Sequence, residues 1–131
     1  MRVFVDTSAW FALANAADRR HADVRAALQA HRGRLVTSNF IFDELVTLCR
    51  MRVGHSAALK AGQLLHDVRL TEMLRVAPED DREAWSLFAN RPDQNYSFTD
   101  CTSFVLMRRL KVEHAIALDD DFKREGFQVV P

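Results

Sequence analysis

Apolar positions along this chain alternate between two rhythms. Short extended runs read as strands, and longer stretches with apolar residues three and four apart read as helices. Arg2–Val5 is the first run, and Ser8–Asn15 follows as a helix with Trp10, Phe11 and Leu13. His21–His31 is a second helical stretch, and after Gly33 the run Leu35–Thr37 is a brief strand. Ser38 or Asn39 can cap a helix over Phe40–Val53, in which Ile41, Leu45, Leu48 and Arg52 keep the helical period. Gly54 ends it, Ser56–Val68 is a further helix, and Leu74–Val76 is a candidate strand. Pro78, with Asp80, Asp81 and Glu83 in the first turn, opens a helix reaching about Ala89. A polar loop over Asn90–Tyr96 leads to a helix over Thr99–Leu110. A strand over His114–Leu118, a short helix over Asp119–Glu125 and a last strand over Phe127–Val130 complete the pattern. Strands alternating with helices predict a three-layer α/β/α architecture around a mainly parallel sheet.

Composition narrows this picture. At 131 residues the chain reads as one domain, 1–131, and 48% apolar and 27% charged residues are ordinary for a globular protein. Two cysteines, Cys49 and Cys101, make no disulfide framework and read as small buried residues. No apolar run approaches the ~20 residues of a membrane-spanning helix, and no secretory leader is recognisable, so the cytoplasm is the expected compartment. Acids and bases balance at 18 each, which argues against a globally basic nucleic-acid binder but leaves room for a local basic face. Arg19, Arg20, Arg50, Arg52, Arg108 and Arg109 are candidates for phosphate contacts, or simply parts of a solvated face.

Four acids stand out by position. Asp6 directly follows the first strand, and Asp119 follows the run ending at Leu118. In a parallel sheet both lie at the carboxyl edge, where ligands bind. Glu44 and Asp100 lie in the first turns of helices that start at that same edge. Phe40, Glu44 and Met51 share one helical stripe, and Asp100, Phe104 and Met107 another. Apolar neighbours at this spacing predict inward-facing carboxylates, with Met51 and Met107 in the core. Acids gathered this way repel one another, and a hard divalent cation relieves the conflict. Such an ion activates water and stabilises phosphoryl charge, which suits phosphodiester hydrolysis. Each acid also has a plainer use. Asp6, in competition with Thr7 and Ser8, could cap the following helix; Glu44 and Asp100 could serve the helix dipole; Asp119-Asp120-Asp121 could be a solvated turn. Independent caps, however, need not converge on one edge. Trp10 and Trp85 are expected to pack, with base stacking open to either only if exposed.

The segments Val5-Asp6-Thr7-Ser8-Ala9-Trp10, Thr37–Leu45, Ser97-Phe98-Thr99-Asp100-Cys101 and Ala117–Phe122 resemble, in order and spacing, the acidic motifs of PIN domains. The resemblance spans nearly the whole chain and is greatest to the VapC-type toxins of prokaryotic toxin–antitoxin modules. It implies a Mg²⁺- or Mn²⁺-dependent endoribonuclease with Asp6, Glu44, Asp100 and Asp119 as catalytic and metal-binding acids. Asp6 and Asp100 match best, and Asp121 is an alternative to Asp119. Thr7 and Ser97 match positions of supporting hydroxyls. It further implies a homodimer and a small antitoxin partner, for which the apolar helix pair over Phe40–Val68 could offer a groove. Other readings are a haloacid-dehalogenase-like phosphatase, a receiver-like interaction domain or a non-catalytic PIN scaffold. The phosphatase wants an Asp where Ser8 stands, and the receiver wants a Lys within Leu118–Phe122, which has none.

Overall fold

The computed structural model describes residues 1–31 and 33–131. Among them the elements run β1 (Arg2–Val5), α1 (Thr7–Ala14), α2 (His21–Ala30), β2 (Arg34–Ser38), α3 (Asn39–Arg52), α4 (His55–His66), β3 (Thr71–Leu74), α5 (Pro78–Ala89), α6 (Phe98–Arg109), β4 (His114–Ile116), α7 (Asp121–Arg124) and β5 (Gln128–Val130). The strands form one sheet in the order β3-β2-β1-β4-β5, and every neighbouring pair is parallel. The sheet is therefore wholly parallel, and the α/β/α expectation holds. Parallel strands need covered faces, and the strand residues Val3, Phe4, Val5, Val36, Ala115 and Ile116 are all buried.

The strand order fixes where a ligand can sit. From β1 the chain steps outward to β2 and then β3, and from there it returns to β4 on the other side of β1. Right-handed crossovers put these two sets of connections on opposite faces. The crevice lies where the direction reverses, at the carboxyl ends of β1 and β4. Val5 pairs with Ile116 there, and the Asp6 amide donates to the Ile116 carbonyl at 3.0 Å.

Local chemistry explains the helix starts. Ser38 ends β2 and accepts the Ile41 amide at 3.1 Å, so a single residue closes the strand and caps α3. Its side chain is fully buried, so Ser38→Ala strands that amide. The expected loss is ~1 kcal/mol of unfolding free energy in a urea melt, with no change in metal binding. Ser97 caps α6 and Asp100 returns the bond, so the two residues, three apart, form a capping box. Trp10 is buried, with its indole N–H donating to Thr37 Oγ1 at 3.3 Å.

Three expectations need correction. The third strand is Thr71–Leu74 rather than Leu74–Val76. Its register opposite β2 buries Thr71, while Val76 lies in the following loop with its amide on Asn39 Oδ1. Met51 is 79% exposed rather than core. The buried stripe of α3 is Ile41, Leu45 and Cys49, one position round from the stripe of Phe40 and Glu44. Trp85 is 64% exposed rather than packed inside. The core of α5 consists of Ala84 and Asp80, which leaves the tryptophan on the outer face. Met107, Cys49 and Cys101 are buried as expected. Among the described residues no helix is long and apolar enough to cross a membrane.

Candidate active site

Asp6 is the most deeply placed of the four acids, at 3% exposure. Ending β1 and capping α1, it is held on both sides by backbone that cannot move without disturbing the sheet. Its Oδ2 accepts the Ser8 amide at 3.4 Å and the Ser8 hydroxyl at 2.8 Å. Its Oδ1 is buried with no hydrogen-bond partner among the described residues. Burial, reinforced by the charges of Asp100 and Asp119 against the Ser8 hydrogen bonds, pushes its carboxyl up to about 7. Asp100 stands at the third position of α6, half-buried, with its Oδ2 accepting the Ser97 amide at 2.9 Å and its own amide on Ser97 Oγ at 3.0 Å. Burial and the charges of Asp119 and Asp121 push it up to about 6 against those bonds. Asp119 is exposed, in the turn after β4, and its Oδ1 accepts the Asp121 amide at 3.1 Å. Asp121 opens α7, and its carboxyl is raised by burial and by Asp119.

Asp6, Asp100, Asp119 and Asp121 therefore share one electrostatic site at the β1–β4 crevice. Among the described residues no three His, Cys, Asp or Glu side chains already stand at ligating distance about one point. Asp100 and Asp119 lie close enough to raise the proton affinity of Asp6, and Asp119 and Asp121 that of Asp100. Glu44 is at the margin. It occupies the second turn of α3, not the first, and lines a cleft of about 380 Å³ with Thr47, Leu48, Met51 and Thr99. Thr99 adjoins Asp100, so this cleft opens next to the acids.

The donor set fits a hard divalent cation. It consists of carboxylate oxygens, and one of them is a buried oxygen lacking any partner. A buried carboxyl of that kind is tolerable only when it carries a proton or faces a cation. Carboxylate oxygens without His or Cys suit Mg²⁺ or Mn²⁺ rather than Zn²⁺.

Of the supporting hydroxyls, that of Ser97 caps α6 by accepting the Asp100 amide, and the Asp100 carboxylate is held by the Ser97 backbone amide instead. Thr7 holds no carboxylate through its Oγ1, which is buried with no partner among the described residues. Ser8 does: it binds Asp6 Oδ2 and accepts the Leu118 amide at 3.1 Å, tying the ends of β1 and β4 together. Its place two residues after the first acid was the available signal, since a serine there can reach back to the carboxylate it follows. Two of the phosphate candidates are otherwise engaged. Arg109 grips buried Asp80 at 2.8 and 2.9 Å, and Arg108 grips Glu125 at 2.9 Å. Both lie at the carboxyl end of α6, opposite Asp100. Arg20 remains near the acids, lining a small cleft with Asp119, Asp120 and Lys123.

The family model described as PIN domain matches residues 3–128 of this sequence. The chain belongs to the PIN-domain family. It is similar to the 23S rRNA-specific endonuclease VapC20 of Mycobacterium tuberculosis, with 37% identity over 128 residues covering 95% of each chain. The VapC ribonuclease of Archaeoglobus fulgidus is 29% identical over 130 residues, covering 93% of this chain and 80% of that one. Among solved structures, that of M. tuberculosis VapC20, a sarcin–ricin loop cleaving toxin, matches with a TM-score of 0.93 and 35% identity, covering 98% of this chain and 99% of the other. The phosphatase and receiver readings give way to this family.

Proposed function

We propose that this PIN domain, acting as one unit over residues 1–131, is a divalent-metal-dependent endoribonuclease and the toxin of a toxin–antitoxin pair. The observation that carries the reading is the buried, unpartnered oxygen of Asp6 among further carboxylates at the sheet's switch point. The near end-to-end similarity to ribonucleases supports the choice of RNA. Asp6 and Asp100 are the principal metal ligands and Asp119 completes the set, with Asp121 beside it. Glu44, from the neighbouring cleft, shares the site or positions water. When bound, Mg²⁺ or Mn²⁺ supplies Lewis-acid stabilisation of phosphoryl charge and eases deprotonation of water. The protein's part is orientation. Ser8 and Ser97 hold one oxygen of Asp6 and one of Asp100, leaving the other oxygen of each without a hydrogen bond among the described residues. Because Asp6 and Asp100 take up protons near neutrality, cleavage is expected to rise with pH as those carboxyls ionise. The compartment is the cytoplasm, where ribosomal RNA is at hand. The first substrate to try is 23S rRNA, on the strength of the VapC20 likeness. Purified chain incubated with ribosomal RNA should cut it with Mn²⁺ or Mg²⁺ and not with EDTA. Intact RNA under both conditions would overturn the reading.

Two apolar surfaces suit the expected partners. Between α3 and α4 lies a groove of about 420 Å³ lined mainly by Phe42, Val46, Ala58, Leu59 and Gly62. It is the place for an apolar segment of an antitoxin. The second surface is aromatic: Trp85 stacks on Phe88 with centroids 5.8 Å apart, and Phe98 links both to Phe40. Glu79, Asp81, Glu83 and Arg82 on the same helix are all exposed. The acids disfavour a polyanion there, whereas a two-fold pairing can set Arg82 of each copy against acids of the other. A second copy of this chain is therefore the occupant, forming the homodimer. Trp85→Glu is expected to convert a particle of twice 15.0 kDa to one of 15.0 kDa in light scattering. An unchanged dimer would place the interface elsewhere.

A further inference from the structure

A buried ion cluster that plays no part in the chemistry joins the two segments carrying the acids. Glu125, at the end of α7, has a side chain only 4% exposed. Its Oε2 accepts the Tyr96 hydroxyl at 2.9 Å and Arg91 Nε at 3.1 Å. Its Oε1 accepts Arg108 Nη2 at 2.9 Å, and that same nitrogen donates to the Glu125 carbonyl at 2.8 Å. Burial alone would push this carboxyl up, but the bonds from Arg108, Arg91 and Tyr96 together hold it below its ordinary value. The carboxylate is thus fully occupied, unlike Asp6.

The connections of this cluster matter more than its strength. Tyr96 immediately precedes Ser97, whose backbone and hydroxyl fix Asp100. The Tyr96 ring is also wedged edge-on against Phe104 at 5.1 Å, and Phe104 against Phe122 of α7 at 4.9 Å. On the other side, Glu125 closes the four-residue helix that opens with Asp121, two residues after Asp119. A single carboxylate therefore ties the segment bearing Asp100 to the turn bearing Asp119 and Asp121. Those acids repel each other, as their mutual effect on Asp100 shows. Without a clamp the two segments are free to separate.

We infer that Glu125, acting through Tyr96, is a positioning residue that sets the distance between Asp100 and the Asp119–Asp121 turn and so tunes divalent-cation affinity. This rests on the metal reading above. Residues that orient ligands from behind are typically worth 10- to 100-fold in metal affinity. Tyr96→Phe is the gentlest test, because it deletes one hydroxyl and leaves both arginines on Glu125. Glu125→Gln removes the charge at nearly constant size. Asp80→Asn is the matched control: Asp80 is equally buried and equally gripped by an arginine, but it joins α5 to α6 without touching either acid-bearing turn.

Mn²⁺ binding is measured by the loss of the free-ion electron paramagnetic resonance signal, and thermal stability is measured alongside. Tyr96→Phe is expected to weaken Mn²⁺ binding about 10-fold, and Glu125→Gln by more. Asp80→Asn is expected to lower the melting temperature while keeping Mn²⁺ affinity within about twofold of the parent. The inference is overturned if Tyr96→Phe binds Mn²⁺ as the parent does, or if Asp80→Asn weakens binding equally. A parent chain that binds no Mn²⁺ refutes the metal reading itself, an outcome distinct from either.

Discussion

Asp100→Asn is expected to lower metal-dependent RNA cleavage by on the order of 10²–10³-fold, and Asp6→Asn by at least as much. Neither change should unfold the protein. Asparagine keeps a carbonyl oxygen in the carboxylate's place, so the Ser97 amide still has an acceptor in one variant and Ser8 in the other. Each change also removes a charge from a cluster of like charges, so the metal-free variants should be at least as stable as the parent. Loss of activity with retained or raised stability is the signature of a ligand rather than a structural residue. It would be read in a cleavage time course on ribosomal RNA and a thermal melt on the same preparations. If both variants cut RNA at the parental rate, the activity belongs to another site.

The second large effect is on stability against pH. The Asp6 carboxyl titrates at about 7 in the folded chain and near 3.8 in the unfolded one. Between those values the native state binds more protons than the unfolded state, so stability falls as pH rises through that window. Asp100, raised to about 6, works in the same direction. For Asp6 alone the effect approaches ~4 kcal/mol at full burial, an upper figure because relaxation around the charge reduces it. Asp80 and Glu125 act oppositely. Both are held below their ordinary values by arginine partners, and their contribution is lost only as pH falls through those lowered values. The metal-free parent should therefore be most stable at mildly acid pH and lose stability toward pH 8. Asp6→Asn should flatten that decline and exceed the parent at pH 8. Urea melts in EDTA across the range measure both curves. Mn²⁺ should stabilise the parent more at pH 8 than at pH 5, because cation and proton compete for the same oxygens. Parallel curves for parent and Asp6→Asn would show that Asp6 titrates normally.

The parallel sheet was legible because each strand is a short apolar run followed by a cap or turn residue. Asp6 was legible for the same reason, since it ends a strand and begins a helix at once. The helical stripe of Asp100 with Phe104 and Met107 predicted its half-burial correctly, because α6 is buried nearly all round. The same logic misplaced Met51. On α3 the core stripe is one residue away, and a 100° rotation separates an inward side chain from an exposed one. The third strand was placed late because register against β2, a long-range property, chose Thr71 over Val76 as its buried start. Ser8, Tyr96 and Glu125 were not legible as a set. Ser8 joins Leu118 and Tyr96 joins Glu125 only after the β1–β4 pairing and the return of the chain through α7 bring distant segments together.

Crystals of the chain grown with Mn²⁺ test the acidic site most directly, through the anomalous scattering of the ion. The expected map has a peak in contact with carboxylate oxygens of both Asp6 and Asp100, at ~2.1 Å. A peak elsewhere, with those two carboxylates left uncoordinated in a preparation that cuts RNA only with Mn²⁺, would contradict the assignment of the catalytic metal to the β1–β4 crevice.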